Sequence, residues 1–166
     1  SMAALTPQYS TNRMVADYAE RYYINAHGIG ESLVANHLHE AKDLSAQITR
    51  YRDHWQHVHV RAVRSDLEPA MPLHKPVRVE ASIDLGGLRT EEVAVQLYAG
   101  DVTAMGSLIE PQVSPMAFER EEDGSCVFTG AFTPTDSGRK GFTVRVVPND
   151  ARLLGTLLPG LITWDA

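Results

Sequence analysis

Histidines are the most concentrated chemistry-bearing residues in this chain. Five of the seven fall into two short groups: His37 and His39, then His54, His57 and His59. A zinc site needs three or four nitrogen, sulfur or oxygen ligands in tetrahedral arrangement. His54 and His57 are three residues apart and are expected to share one helix face, so they supply two ligands at most. The sequence shows no third ligand for them, and we therefore predict a solvated helix face and no metal site.

Paired carboxylates are the second candidate for chemistry. They occur at Glu91-Glu92 and in the run from Glu119 to Asp123. A glycosidase needs two carboxyl groups about 5 to 10 Å apart across a sugar. Both acidic groups adjoin strand patterns, so we interpret them as solvated ends of hairpins. Cys126 lies in an alternating strand pattern, which indicates a small buried residue and not a nucleophile. We predict no catalytic residue.

Glycines and aromatic residues are the remaining candidates for a binding site. The segment His27-Gly-Ile-Gly30 lacks the spacing of both the dinucleotide-binding loop and the phosphate-binding loop, so we predict no cofactor site. Tyr98, Trp55 and Trp164 are the large aromatic residues that could stack on sugar rings. Each of them fits a packing role equally well.

Composition excludes several classes of protein. The chain has 166 residues and a net charge of −6, which argues against nucleic-acid binding because such proteins depend on basic patches. One cysteine cannot form an intramolecular disulfide. No apolar run approaches the roughly 20 residues that span a bilayer, so no membrane association is predicted. The N-terminus lacks the pattern of a signal peptide. We expect a fragment of a cytoplasmic protein.

Helical periodicity dominates the first part of the chain. Met14, Tyr18 and Tyr22 recur at intervals of four residues and predict an apolar stripe on a first helix, which Gly28 and Gly30 should end. We expect this stripe to be buried by folding back on a second helix or by self-association. The second helix should run from about Glu31 to His57. Its predicted apolar face consists of Leu38, Ala41, Leu44, Ile48, Tyr51, Trp55 and Val58.

Short alternating segments dominate the remainder, and turn signals separate them. About seven strands are predicted, at 58–62, 77–85, 93–98, 116–118, 126–132, 141–147 and 161–164, with a weak further strand near Leu108-Ile109. Because no helical pattern intervenes, the strands should be antiparallel. The fold class is therefore α+β. We predict a helical segment of about two helices over residues 1–57, followed by an immunoglobulin-like β-sandwich over residues 58–166.

Several motifs in this chain resemble those of one enzyme family. The segment Ser10-Thr-Asn-Arg-Met-Val-Ala-Asp-Tyr-Ala-Glu-Arg-Tyr-Tyr23 resembles the closing helix of the catalytic region of bacterial-type α-glucan (glycogen or maltodextrin) phosphorylases, and the rest resembles their C-terminal region. The most specific matches after it are Leu85-Gly-Gly-Leu88 and Gly141-Phe-Thr-Val-Arg-Val-Val-Pro148. Pro159-Gly-Leu-Ile-Thr-Trp164 is a further match. The resemblance covers nearly the whole chain.

The resemblance implies a parent enzyme that cleaves α-1,4-glucans with phosphate, releases glucose 1-phosphate and uses pyridoxal phosphate. That family's cofactor lysine lies in a Gly-Asn-Met-Lys motif, and Lys42, Lys75 and Lys140 have no such sequence before them. No catalytic, cofactor or metal residue is therefore carried over to this chain. We expect a non-catalytic C-terminal domain with a structural or assembly role. The alternatives are a glucan-binding module and an unrelated protein-interaction sandwich domain.

The same resemblance implies partners. The first is the set of catalytic domains of the parent polypeptide. A second copy of the chain and a glucan are further candidates.

Overall fold

One long helix precedes the strands in the computed structural model, which describes residues 24–68, 72–153 and 158–165. Helix α1 spans Ile24–Trp55 and contains Gly28 and Gly30 without a break. The prediction that these glycines end a helix and that another begins near Glu31 was therefore wrong. A glycine costs a helix only about 1 kcal/mol relative to alanine, and no proline follows to stop the chain. The predicted stripe of Met14, Tyr18 and Tyr22 lies outside the described residues.

The predicted apolar face of α1 is buried at its C-terminal end only. Tyr51 is 1% exposed and Trp55 5% exposed, as predicted. Leu38 was predicted to be a core position and is 47% exposed. Its φ of 63° departs from helical geometry, so the regular spacing behind the prediction does not hold through this position. The chain divides into two compact units, and the unit that contains the strands begins at Arg50, so the last residues of α1 belong to it.

Two antiparallel sheets follow α1, as the alternating pattern predicted. The described strands are β1 (Val58–Ser65), β2 (Val77–Leu85), β3 (Val93–Val102), β4 (Leu108–Pro115), β5 (Ala117–Glu122), β6 (Ser125–Phe132), β7 (Lys140–Pro148) and β8 (Thr163–Trp164). The first sheet has the order β1-β2-β6-β5 and the second has the order β4-β3-β7-β8. The α+β class and the antiparallel sandwich are confirmed. The immunoglobulin-like detail and the domain boundary at 57/58 stay predictions.

Alternation along the inner strands builds the core between the sheets. Val79 and Ile83 on β2 are both 0% exposed. They belong to the same apolar cluster as Leu97 on β3 and Val144 on β7, which are also 0% exposed. Successive side chains of a strand point to opposite faces, so the residues between these positions point outward. The outer faces of the sheets therefore present the polar and aromatic side chains on which a functional site can be built.

The edge strands differ from the inner strands in their pairing. The inner pairs β2–β6 and β3–β7 keep one continuous register. The register shifts in the pairing of each of β1, β4 and β5 with its inner neighbour. The fourth described edge strand, β8, has only two residues. Regular ladder pairing is thus confined to the middle of each sheet.

Candidate functional site

The histidines do not form a ligand cluster. Because α1 ends at Trp55, His57 lies in the following turn and does not share a helix face with His54, contrary to the prediction. His54 Nδ1 lies 2.8 Å from the Gly86 carbonyl oxygen. A carbonyl oxygen only accepts hydrogen bonds, so Nδ1 carries the proton. In the part of the chain that the structure describes, no three His, Cys, Asp or Glu side chains gather as a metal site would require.

The glycine pair after β2 lies directly against the end of α1. Gly86 has a φ of 59°, in the left-handed region that favours glycine. A Cβ atom at Gly86 would lie 2.6 Å from Cβ of His57 and 2.9 Å from the carbonyl oxygen of His54. Both the backbone angle and the close approach therefore require glycine here. The close contact therefore explains why glycine stands at position 86 in the Leu85-Gly-Gly-Leu88 motif.

Glu92 is buried, which corrects the prediction that both carboxylates of the Glu91-Glu92 pair are solvated. The Glu92 side chain is 5% exposed, whereas that of Glu91 is 65% exposed. Arg50 Nε donates to Glu92 Oε1 at 3.0 Å, and Nη2 donates to Oε2 at 3.4 Å. The backbone N–H of Arg89 donates to Oε2 at 2.7 Å. Sequence reasoning missed this cluster because Arg50 and Glu92 are 42 residues apart.

The carboxylate of Glu92 favours the charged form of Arg50. The hydrogen bond with Glu92, and then the negative charge of Glu92, raise the pKa of Arg50. Arg50 Nη2 also donates to the Gly87 carbonyl oxygen at 2.9 Å, which ties it to the glycine pair. Both carboxylate oxygens of Glu92 thus accept hydrogen bonds within the fold. We conclude that Glu92 anchors the end of α1 and is not placed to accept a proton from a substrate.

Two of the other acidic candidates form ion pairs, and the cysteine is half-buried. Glu119 accepts hydrogen bonds from Arg78 Nη2 at 3.0 and 2.9 Å, and Arg120 pairs with Glu122 at 2.8 Å. These are surface ion pairs, as expected for solvated carboxylates. Cys126 is half-buried, and burial raises the pKa of its thiol. A protonated thiol is a poor nucleophile, so burial lowers the reactivity of Cys126.

Two of the three aromatic candidates lie together, and the third does not. Trp55 is buried and packs edge-on against Tyr51, with ring centroids 6.1 Å apart. Tyr98 and Trp164 meet on the outer face of the second sheet, with ring centroids 5.2 Å apart and an interplanar angle of 65°. Trp164 is 45% exposed. Trp55 is therefore a core residue, and of the three candidates the half-buried Tyr98 and the exposed Trp164 lie on an outer face.

Arg145 joins these two rings into one unit. Its guanidinium carbon lies 4.7 Å from the centroid of Tyr98 and 5.3 Å from that of Trp164. Gln96 Oε1 accepts hydrogen bonds from Arg145 Nε at 3.0 Å and from Nη2 at 2.6 Å. The strand register pairs Arg145 with Gln96 on one side and with Trp164 on the other. We call these four residues, Gln96, Tyr98, Arg145 and Trp164, the aromatic platform.

Sequence reasoning named the two rings of the aromatic platform but missed Gln96 and Arg145. Alternation along β3 and β7 was the available signal, because it points both residues outward. A shallow groove of about 540 Å³ adjoins the platform at Gln96 and is also lined by Val113, Pro115 and Phe118. The platform has no carboxylate, thiol or hydroxyl nucleophile paired with a base. Its chemistry is that of a binding surface.

Comparison with known proteins places the chain in a family. A family model described as the glycogen phosphorylase C-terminal domain matches residues 55–166. The chain is 30% identical over 165 residues to a glycogen phosphorylase of Mycobacterium tuberculosis (strain CDC 1551 / Oshkosh), an alignment that covers 98% of this chain and 19% of that protein. It is 25% identical over 172 residues to a maltodextrin phosphorylase of Thermococcus litoralis, covering 99% of this chain and 19% of that protein.

The chain therefore spans about a fifth of the length of the curated relatives it matches. Among the described helices, none is both long enough and apolar enough to cross a membrane. The family match begins at the buried Trp55 and includes all eight described strands of the sandwich. Because that match covers more than half of the sequence, the chain belongs to the glycogen phosphorylase C-terminal domain family.

Proposed function

We propose that this chain is the non-catalytic C-terminal domain of a cytoplasmic α-glucan phosphorylase and that its role in the parent polypeptide is structural. In this proposal the parent cleaves α-1,4-glucan with phosphate and releases glucose 1-phosphate. The catalytic domains of the same polypeptide are the partners of this domain, with a second copy as a further partner in assembly. The domain contributes stability and no reacting group.

The anchoring of α1 is the observation that carries the structural role. Tyr51 and Trp55 on its last turns belong to the apolar cluster between the two sheets. Arg50 on the same turns binds the buried carboxylate of Glu92 and the Gly87 carbonyl oxygen. A flexible linker would leave its backbone and side chains in water, whereas Tyr51 and Trp55 are core components of the sandwich. Such an attachment suits a domain that holds the preceding chain in place.

The lysines of this chain do not fit pyridoxal phosphate, the cofactor of the proposed parent. The cofactor requires a lysine amine that is free to react with its aldehyde. The Nζ atom of Lys140 lies 2.7 Å from Asp101 Oδ1 and also contacts Asp136, so its charge is paired on two sides. Lys42 and Lys75 are exposed surface residues. We therefore assign the cofactor to the catalytic domains and derive no reaction step within this chain.

Two measurements test the proposal. The purified chain, incubated with maltoheptaose, phosphate and pyridoxal phosphate, should release no glucose 1-phosphate and acquire no Schiff-base absorbance. In the full-length polypeptide, Glu92→Gln should lower the melting temperature while kcat per folded enzyme stays within about twofold.

Glu91→Gln is the matched control because it changes the neighbouring, exposed carboxylate, and it should alter neither quantity. A Glu92→Gln enzyme that keeps its melting temperature but loses kcat would show that the domain takes part in catalysis. That result would refute the structural role.

A further inference from the structure

We propose that the aromatic platform is a binding site for α-1,4-glucan, in which a glucose ring stacks on Trp164. The inference goes beyond the structural role and rests on the proposed parent enzyme for the identity of the sugar polymer. Its geometric basis, the Tyr98 and Trp164 rings held by Arg145, is independent of that parent.

The exposed ring of Trp164 supplies the contact that a sugar needs. A pyranose ring presents patches of C–H groups on its faces and hydroxyl groups around its rim. The C–H patches pack against flat aromatic faces, which carry a partial negative charge. Trp164 is 45% exposed, so a large part of this indole remains open to a ligand. The Tyr98 ring lies beside it at an interplanar angle of 65°, so it can contact the edge of a sugar ring that stacks on Trp164.

Arg145 holds the two rings in place before a ligand arrives. Its guanidinium group lies over both rings at 4.7 and 5.3 Å, an arrangement typical of cation–π contacts. Gln96 fixes the guanidinium through two hydrogen bonds to its side-chain oxygen. A surface whose side chains are already ordered loses less entropy on binding. The amide of Gln96 and the remaining N–H groups of Arg145 are also suitable partners for sugar hydroxyl groups.

The charge distribution favours a neutral ligand. The outer face of the first sheet carries an ion-pair network in which Arg78 and Arg120 contact Glu80 and Glu119. The aromatic platform has a single charged group, Arg145, which faces two rings and an uncharged amide. The groove beside it is lined by one charged residue, Glu91, which repels anions. Phosphate or nucleic acid would need several converging cations. A neutral polyol such as an α-glucan requires none, so its chemistry matches the platform.

The groove beside Gln96 gives the polymer a path beyond the stacked ring. Val113 and Pro115 line it and continue the outward-facing surface of the second sheet from Tyr98 and Gln96. Phe118 closes the groove on the side of the first sheet and is itself 45% exposed. A second glucose unit can therefore contact apolar surface while its hydroxyl groups stay in water.

Affinity electrophoresis tests the proposal with the purified 166-residue chain. The wild-type chain should be retarded in native gels that contain glycogen or soluble starch, and titration with maltoheptaose should quench the tryptophan fluorescence. Trp164→Ala should weaken binding by about tenfold or more, because it removes the stacking surface. Trp164→Tyr should retain most of the retardation because an aromatic face remains.

Ile109→Ala is the matched control, since Ile109 is an exposed apolar residue of the same sheet, 50% exposed and at the opposite end of β4 from Pro115. It should leave retardation unchanged. Melting temperatures of all variants show that each chain is folded. Because Trp164 is half exposed, its replacement should not unfold the sandwich.

Two results would overturn the proposal. A wild-type chain that migrates equally with and without glucan would show that the platform binds no sugar. A Trp164→Ala chain that keeps full retardation would place any sugar site elsewhere. If the same variant instead changes the mass measured by light scattering and glucan has no effect, the platform is a protein interface and the proposal is wrong. All of these outcomes leave the assay for glucose 1-phosphate release unaffected, so they are distinguishable from failure of the proposed function.

Discussion

Removing the guanidinium of Arg50 should destabilise the sandwich unit by about 2–3 kcal/mol. Arg50→Met keeps the apolar stem and deletes three hydrogen bonds, two to the Glu92 carboxylate and one to the Gly87 carbonyl oxygen. Breaking a fully buried ion pair costs about 3–5 kcal/mol because one charge is left without its partner. Glu92 is 5% exposed but Arg50 is 39% exposed, and Arg89 Nε also lies 3.4 Å from Glu92 Oε2. Water and Arg89 therefore replace part of the lost interaction and lower the cost.

A double-mutant cycle isolates the interaction between the two side chains. The cycle compares the free energies of unfolding of wild type, Arg50→Met, Glu92→Gln and the double variant, measured by urea denaturation with circular dichroism. Gln at position 92 can still accept the hydrogen bond from the Arg89 backbone N–H. We expect a coupling energy of about 1–2 kcal/mol, within the range of residues in direct contact. Added salt should change it little, because partly buried pairs are poorly screened.

The exposed pair Arg120–Glu122 provides the control for this cycle. Its atoms lie 2.8 Å apart, as close as those of the buried pair, but the side chains are 42% and 54% exposed. Its coupling energy should be below about 1 kcal/mol and should fall further in salt. If the Arg50–Glu92 coupling is no larger than that of the control pair, the proposed anchoring of α1 by Glu92 is wrong.

Two further predictions concern the turn after β2. Gly86→Ala should destabilise the protein by more than about 1 kcal/mol, because the turn requires a φ of 59° and the added Cβ would lie 2.6 Å from Cβ of His57, just after α1. Thermal melting measures this loss, with Gly124→Ala, where a Cβ would meet nothing within 4 Å, as the control for a positive φ alone. If Gly86→Ala and Gly124→Ala lower the melting temperature equally, the close contact at Gly86 does not contribute and this reasoning is refuted. Hydrogen bonds from Arg61 and then from the Gly86 N–H lower the pKa of Asp84. The associated stability is therefore present above the unfolded pKa of about 3.9 and is lost as pH falls through the lower folded value. Asp84→Asn should flatten the dependence of the unfolding free energy on pH below about pH 4, and an unchanged slope would contradict this assignment.

Local patterns predicted the inner strands well because burial on one face repeats every second residue. The run 77–85 alternates strictly, and β2 has those bounds and a fully buried inner row. β4 was seen only as a weak strand near Leu108-Ile109. It contains Pro111 and ends at Pro115, which cannot donate to a ladder and so suggest a loop. An edge strand tolerates such residues, but its position at the edge depends on pairing that no local window contains.

The functional residues depended on distant partners and were predicted less well. Glu92 looked like a solvated turn residue because its partner, Arg50, lies 42 residues earlier on α1. Tyr98 and Trp164 were identified singly as aromatic candidates, but their contact requires β3, β7 and β8 to lie side by side. Alternation of apolar and polar residues predicts the face of the sheet on which a side chain lies. It does not predict which other strand will pair with the strand that carries it.

The interrupted strand pairing at the sheet edges affects how close together copies of this domain can lie without aggregating. Proteins at high local concentration aggregate when an open strand edge of one molecule pairs with a strand of another. Register shifts interrupt the pairing of β1, β4 and β5 with their neighbours, and such irregular edge strands are poor templates for a further strand. We therefore expect copies of the sandwich to remain separately folded when they lie close together.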